Sequence, residues 1–174
     1  MNAAKGAVLG LLRDAYQRRD LVSLVTFRDE GAEVVLKPTG SVEVARARLG
    51  EIPTGGRTPL AAGIEAALRV ALDPGRLASH RPLLVLVTDG RATSGPVGAD
   101  PVDAALLAAA SVRSRGVDSV VIDVETTGSD HPGGSRLGLA GSVAAAMGAR
   151  HLPVTELTPA SLQYTVRRAA GSRR

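Results

Sequence analysis

The feature that most constrains this chain is a continuous apolar run, Leu83 to Thr88 (LLVLVT), that ends in Asp89-Gly90. A strand with apolar residues at successive positions has no face suited to water. Such strands are typical of parallel sheets that helices cover on both faces. The run therefore predicts a central parallel strand with Asp89 at its carboxyl end. A helical pattern from Val102 to Val112 and a second apolar run, Ser119 to Val124 (SVVIDV), predict a right-handed βαβ unit after it.

The remaining segments extend this pattern on both sides. Helical spacing predicts a first helix from Ala4 to Tyr16, followed by a strand from Leu21 to Phe27. The run Ala32 to Leu36, after a polar turn, predicts an antiparallel edge strand paired with that strand. Further helices are predicted at Val42–Leu49, from Leu60 to Ala71, at Leu139–Met147 and from Pro159 to about Ala170, with a short strand at His151–Val154.

This order of elements predicts a doubly wound α/β fold. The sheet is mostly parallel with one antiparallel edge strand, and helices cover both of its faces. A chain of 174 residues with 44% hydrophobic content has the size of one domain with its own core. We expect a single domain over residues 1–170, followed by a basic tail over 171–174.

Composition limits the partners that this domain could have. Only 2% of residues are aromatic, and the arginines that carry the net charge of +4 are scattered, which argues against nucleic acid. The absence of cysteine excludes disulfides and thiolate metal sites. No segment has the pattern of a signal peptide or a membrane span, so we expect a soluble cytoplasmic protein that does not contact membranes.

A candidate metal site lies at the predicted carboxyl edge of the sheet, where open α/β sheets bind ligands. Asp89 ends the central strand, and Thr58 belongs to a Gly-rich loop before a helix, Gly55-Gly56-Arg57-Thr58-Pro59. A carboxylate and a hydroxyl oxygen suit a hard cation such as Mg²⁺. Taken singly, each residue also has a structural interpretation. Thr58 before a proline is a common helix N-cap, and Asp89-Gly90 is a common strand-end turn.

The two motifs together resemble the von Willebrand factor A family. The metal-ion-dependent adhesion site of that family uses Asp-x-Ser-x-Ser after the first strand, a Thr from a later loop and an Asp at the end of the fourth strand. The segments Gly55 to Leu60 (GGRTPL) and Val87 to Gly90 (VTDG) match the second and third elements. The resemblance implies that Thr58 and Asp89 are metal ligands.

Three further segments resemble one branch of this family, the carboxyl-terminal domain of the D-type subunit of magnesium chelatase and its chelatase-like relatives. These segments are Ala3 to Val8 (AAKGAV), Asp14 to Asp20 (DAYQRRD) and Thr88 to Thr93 (TDGRAT). The resemblance covers nearly the whole chain. It implies a metal-assisted protein-interaction domain of a magnesium or cobalt chelatase. The implied partners are an AAA+ ATPase subunit and a large porphyrin-binding subunit, which together insert a metal ion into a tetrapyrrole.

The chain departs from the family pattern because it contains no Asp-x-Ser-x-Ser, so three of the five implied ligands are absent. One carboxylate and one hydroxyl hold Mg²⁺ poorly, so we expect weak Mg²⁺ binding or none. The family's first strand is absent too, which would leave unpaired strand edges inside the sheet and favour self-association through them. We expect Met1 to be an internal residue of a longer parent.

Two other functions are compatible with the same residues. Asp123 and Glu125 share one face of a predicted strand and could join Asp89 around an ion in a metal-dependent hydrolase. A stand-alone adaptor or scaffold for another AAA+ protein would need no metal. No phosphate-binding loop of the G-x-x-x-x-G-K-[ST] type is present, so we expect no ATP hydrolysis by the chain itself and no catalytic residues in it.

Overall fold

The computed structural model describes residues 2–52, 55–77, 80–124 and 138–153. Six helices and five strands follow one another along these residues. In chain order they are α1 (Asn2–Arg18), β1 (Val22–Arg28), β2 (Gly31–Thr39), α2 (Val42–Glu51), α3 (Leu60–Ala71), α4 (Pro74–Leu77), β3 (Leu83–Thr88), α5 (Pro101–Ser114), β4 (Asp118–Asp123), α6 (Leu139–Met147) and β5 (Arg150–Pro153).

The first sheet is an antiparallel hairpin of β1 and β2. Its register runs from Val22 opposite Thr39 to Arg28 opposite Gly31, with irregularities between Val22 and Val25. Asp29 in the turn has φ 59°. Asp tolerates this left-handed conformation better than most residues, so the turn can close in two residues.

The second sheet has the order β3-β4-β5 and is entirely parallel. Leu83 lies opposite Asp118, and the register continues without a break to Thr88 opposite Asp123. Helices α5 and α6 make the crossover connections and pack on each other, and α5 also packs on α3. Asp100 caps α5 by accepting hydrogen bonds from the backbone N–H groups of Val102 (2.8 Å) and Asp103 (3.1 Å).

Two apolar layers enclose this parallel sheet. On one face Leu84, Leu86 and Val121 pack against α3, α5 and α6 in the main core. On the other face Val120 and Ile122 pack with Leu11 of α1. β4 is therefore the middle strand of this sheet and is covered on both faces. β3, which was predicted to be central, lies at the end of the order among the described residues and is fully buried only at alternate positions.

The two sheets do not pair with each other in the part of the chain that the structure describes. Helix α1 lies across both, since Leu12 packs in a cluster with β2 and α2 while Leu11 packs against β3 and β4. Helix α3 contacts β1, β2 and β3 from the opposite face. The expected doubly wound α/β fold, with a mostly parallel set of strands and one antiparallel pair, is confirmed.

Most predicted elements lie where the sequence placed them, within a few residues at each end. The short helix α4 was not expected, because Asp73-Pro74-Gly75 was interpreted only as the end of α3. Glu125, the predicted helix from Pro159 to Ala170 and the basic tail 171–174 lie outside the described residues, and the single-domain boundary remains a prediction. Across the described part of the chain, the helices are too short or too polar to traverse a lipid bilayer.

Candidate functional site at the carboxyl edge of the strands

The loop before α3 is held against the loop after β3 by four hydrogen bonds, three of which involve the backbone of Thr58. The backbone N–H of Thr58 donates to the Thr93 hydroxyl oxygen at 2.8 Å. The N–H groups of Thr93 and Ser94 in turn donate to the Thr58 carbonyl at 3.1 and 3.3 Å. Because these contacts join residues 35 positions apart, they lock two loops from different parts of the chain into one rigid edge.

Thr58 does not cap α3. The N-cap position is occupied by Pro59, and no side chain makes a cap hydrogen bond there. The interpretation of Thr58 as an ordinary N-cap is therefore wrong. Its half-buried side chain lies at the edge of a large cavity that Asp89 also lines.

Asp89 lies directly after β3, as predicted, and its side chain is 49% exposed. One carboxylate oxygen accepts a hydrogen bond from the Arg91 backbone N–H at 3.3 Å, and the other lies 3.8 Å from the Arg91 Nε. Gly90 has φ 71° and donates its N–H to the Thr88 hydroxyl at 3.2 Å. These are the contacts of a strand-end turn, so Asp89 has a structural role whatever else it binds.

Asp29 is a third side chain at this edge, and it was not among the site residues predicted from the sequence. Its backbone N–H donates to the Arg57 carbonyl at 2.9 Å, which joins the β1–β2 turn to the loop before α3. A Cβ added at Gly56, where φ is 95°, would collide with the Asp29 carboxylate and with Arg28. Asp29 pairs with the Arg28 Nε at 3.0 Å. Its position directly after an apolar run could have indicated a site residue. The sequence analysis interpreted that segment only as a polar turn.

Asp123 ends β4, and its carboxylate lies 3.2 Å from the His151 Nε2 of β5. This contact places Asp123 in a side-chain pair with a histidine that has no metal-binding or catalytic motif around it in the sequence. Within residues 2–52, 55–77, 80–124 and 138–153, no three His, Asp or Glu side chains are grouped so that they could hold a metal ion. The arrangement thus lends no support to a hydrolytic centre around Asp89 and Asp123.

Few oxygen ligands for Mg²⁺ lie at this edge among the described residues. Mg²⁺ requires near-octahedral oxygen coordination, usually with one or two carboxylates. Thr58 and Asp89 offer one hydroxyl and one carboxylate, and Arg91 already lies next to that carboxylate. Arg57, whose guanidinium donates to the Thr93 carbonyl at 3.3 Å, adds a second positive charge to the same edge. A cation would therefore need further anionic ligands to bind here.

Fold and edge together define a doubly wound α/β domain whose loops converge at the carboxyl ends of the strands. The chain belongs to the von Willebrand factor A family: the profile of the von Willebrand factor type A domain matches residues 1–91. The crystal structure of the SpRpn10 VWA domain has the same fold, with a TM-score of 0.60 at 14% identity, covering 92% of this chain and 80% of that one.

Sequence relatives indicate the branch of this family to which the chain is related. An uncharacterized protein of Mycobacterium tuberculosis is 44% identical over 172 residues, which are 98% of this chain and 25% of that protein. The magnesium-chelatase 60 kDa subunit of Cereibacter sphaeroides is 45% identical over 127 residues, which are 71% of this chain and 23% of that subunit. The chain thus spans about a quarter of the length of these relatives. It is a von Willebrand factor A domain related to magnesium-chelatase subunits.

Proposed function

We propose that this chain is a non-catalytic protein-interaction domain of a D-type subunit of a magnesium or cobalt chelatase. In this role it binds an AAA+ ATPase subunit in the cytoplasm and supports metal insertion into a tetrapyrrole, together with a large porphyrin-binding subunit. The proposal is supported by the relationship to magnesium-chelatase subunits, which share 34 to 45% identity with this chain over the matched residues in the examples from Cereibacter and Heliobacterium.

The observation that carries the proposal is the locked edge formed by the loops after β1, before α3 and after β3. Backbone hydrogen bonds join Asp29 to Arg57 and Thr58 to Thr93. A surface that is already ordered loses little conformational entropy when it binds a partner. Exposed Arg57 and Arg91 and the half-exposed carboxylate of Asp89 place charges of both signs on that surface, which suits a polar protein interface.

Thr58 and Asp89 remain the proposed metal ligands of this chain, with Mg²⁺ bound weakly or not at all. Because the described residues provide too few oxygens, tight binding would require carboxylates from outside them. Isothermal titration with Mg²⁺ should therefore show no saturable heat at micromolar concentrations. Tight stoichiometric binding would contradict this part of the proposal.

The partner interaction is tested with the AAA+ ATPase subunit of a magnesium chelatase, immobilised and titrated with this chain. We expect measurable binding that weakens at least tenfold when Asp89→Ala and Thr58→Ala are combined, because both residues lie on the contact edge. Glu65→Ala, which removes an exposed carboxylate from α3, is the matched control and should leave the affinity unchanged. Circular dichroism confirms that each variant is folded.

Addition of EDTA tests whether the interaction with the ATPase subunit requires a metal ion. Binding that is lost in EDTA would support metal-assisted contact, whereas binding that survives both EDTA and the double substitution would refute it. Binding that survives EDTA but not the substitutions would support the adaptor without metal. Failure to bind the ATPase subunit at all would overturn the chelatase role.

A further inference from the structure

The most exposed apolar side chain among the described residues belongs to Val97, in the loop between β3 and α5. Its relative exposure is 107%, so the whole side chain faces solvent. Leu107 of α5 follows at 71%, and the other exposed large apolar residues lie at 60% or below. Single, partly exposed apolar residues are common on protein surfaces. A wholly exposed valine, by contrast, adds nothing to the stability of the fold, because it buries no area.

Val97 lies at the centre of a run of five exposed residues without a charged side chain, Gly95 to Ala99 (GPVGA). This run is the apolar tip of the loop. Exposed Arg91 precedes it and exposed Asp100 follows it, so charges of opposite sign flank the tip. Exposed turns are usually built from Gly, Pro, Asn, Asp and Ser. Turn chemistry therefore accounts for the glycines and the proline of the apolar tip, but not for Val97.

The backbone of the apolar tip forms a closed turn. The N–H of Ala99 donates to the Pro96 carbonyl at 3.1 Å. Gly98, the third of the four turn residues, has φ 81°. A positive φ at this position is characteristic of a type II turn and favours glycine. Val97 occupies the second position, which does not require a β-branched residue.

Both ends of the apolar tip are attached to the rest of the fold. Before it, the N–H of buried Ser94 donates to the Thr58 carbonyl at 3.3 Å. Its first residue packs closely, since a Cβ added at Gly95 would lie 3.1 Å from the Pro101 Cα. The N-cap of α5 directly follows the tip. An ordered turn therefore presents Val97, and a residue with so few rotamers loses little conformational entropy when it is bound.

The apolar tip is continuous with the locked edge. The Thr58 carbonyl that accepts from Ser94 also accepts from the N–H of Thr93 at 3.1 Å. The Thr93 carbonyl in turn accepts from the Arg57 guanidinium. The tip and the charged groups of the edge thus belong to one surface. An apolar centre surrounded by charged and polar groups is the usual arrangement of a protein–protein interface.

The shape of the apolar tip favours a protein as the binding partner. Small-molecule sites are concave, whereas this turn projects from the surface. Membrane-binding surfaces bury a broad apolar face or an acyl chain, and one valine between charged residues provides neither. A projecting apolar side chain is suited to a desolvated pocket on another protein, as the central contacts of interfaces are.

We infer that Val97 is the apolar anchor of the interface with the AAA+ ATPase subunit, and that it inserts into an apolar pocket of that subunit. Arg91 and Asp100 lie at the rim of this contact. The identity of the partner rests on the proposed function. The contact itself needs no metal ion, because a valine side chain has no atom that binds one.

The test compares the whole chain with its Val97→Thr variant, each titrated onto the immobilised ATPase subunit of a magnesium chelatase. Threonine retains the shape and branching of valine, so the turn is preserved while a hydroxyl enters the apolar pocket. Binding should weaken about tenfold. Leu107→Gln is the matched control, because it replaces another exposed apolar residue with a polar one of similar size, on α5 instead of the tip. It should leave the affinity unchanged, and circular dichroism checks the fold of both variants.

A second measurement follows the burial of position 97 directly. The chain has no native cysteine, so Val97→Cys introduces a single thiol for labelling with a maleimide. At a saturating concentration of the ATPase subunit, labelling of this chain should slow at least about tenfold, because the centre of an interface excludes water. The labelling rate of Leu107→Cys, followed in the same way by mass spectrometry, should stay unchanged.

Salt separates an apolar contact from the charges beside it. The factor lost in Val97→Thr should be the same at about 0.1 M and about 1 M NaCl, because salt screens charges and not apolar contacts. A loss that disappears at high salt, an unchanged affinity of Val97→Thr, or full labelling of Val97→Cys in the complex would overturn the inference and leave the proposed function intact. Failure of the parent chain to bind would overturn both. Self-association of the parent that Val97→Thr abolishes would also overturn the inference, since the anchor would then bind a second copy.

Discussion

Gly63 lies where α3 crosses β1, and replacing it with alanine should destabilise the protein although alanine favours helices. A Cβ at Gly63 would lie 2.5 Å from two ring carbons of Phe27 and 2.9 Å from the Phe27 Cβ. Rotation of the ring cannot relieve the last contact, so β1 and α3 must move apart. Overpacking of this kind costs up to about 3 kcal/mol, and the gain in helix propensity is about 1 kcal/mol. We expect a net loss of about 2 kcal/mol.

Gly50→Ala in α2 is the matched control, because a Cβ there meets nothing within 4 Å. It should stabilise the protein by about 0.5–1 kcal/mol through helix propensity alone. Urea denaturation followed by circular dichroism compares the midpoints of both variants, and unchanged m-values confirm that only stability has altered. For Gly63→Ala the melting temperature should fall by about 4–8 °C.

A double-mutant cycle with Phe27→Leu tests the stated cause. Removing the ring relieves the collision, so the loss caused by Gly63→Ala should be smaller in the Phe27→Leu background by about 1–2 kcal/mol. Additive losses would mean that the contact with Phe27 is not responsible. A Gly63→Ala variant as stable as Gly50→Ala would refute the packing of α3 on β1.

Three further predictions concern the local contacts of the fold. Asp100→Ala removes the cap of α5 and should cost about 1 kcal/mol, whereas Asp103→Ala in the same turn should cost only a few tenths; thermal unfolding compares them. Thr93→Val removes the hydroxyl oxygen that accepts a hydrogen bond from the Thr58 N–H, so the free energy of unfolding should fall by about 1 kcal/mol. Binding of the ATPase subunit should weaken as well, whereas Thr93→Ser should retain both stability and binding. Arg18→Met leaves the buried Asp14 carboxylate without the guanidinium that lies 3.0 Å away and should cost about 1–2 kcal/mol; combining it with Asp14→Leu should restore most of this loss, and no restoration would refute the pairing.

The strands of the parallel sheet were predictable because they are defined by local sequence. The structure has β3 at Leu83–Thr88 and α6 at Leu139–Met147, as expected. A run of apolar residues bounded by polar ones has few other ways to exclude water. The position of Asp89 at the carboxyl edge followed from the same run and from the geometry of open α/β sheets.

The contacts within the candidate site were not predictable in this way. The residues next to Thr58 indicate a helix cap, yet its backbone N–H donates a hydrogen bond to the hydroxyl of Thr93, 35 residues later. Asp29 was interpreted only as a turn residue, yet its backbone N–H donates to the Arg57 carbonyl, in a loop that begins 26 positions further on, at Gly55. Such contacts depend on which loops come together in the tertiary structure. The sequence around each residue does not indicate this.

The chain's own residues determined the order of helices and strands, the apolar faces of each and the place of Asp89, because hydrophobic periodicity and strand direction are local properties. Only the tertiary structure decided which strands lie next to one another. The apolar run of β1 predicts a buried strand, but the structure leaves it half-buried from Val22 to Phe27, beside the large cavity that Thr58 and Asp89 also line. Burial is a property of neighbours, and the neighbours of β1 and β3 are set by packing between residues far apart in sequence.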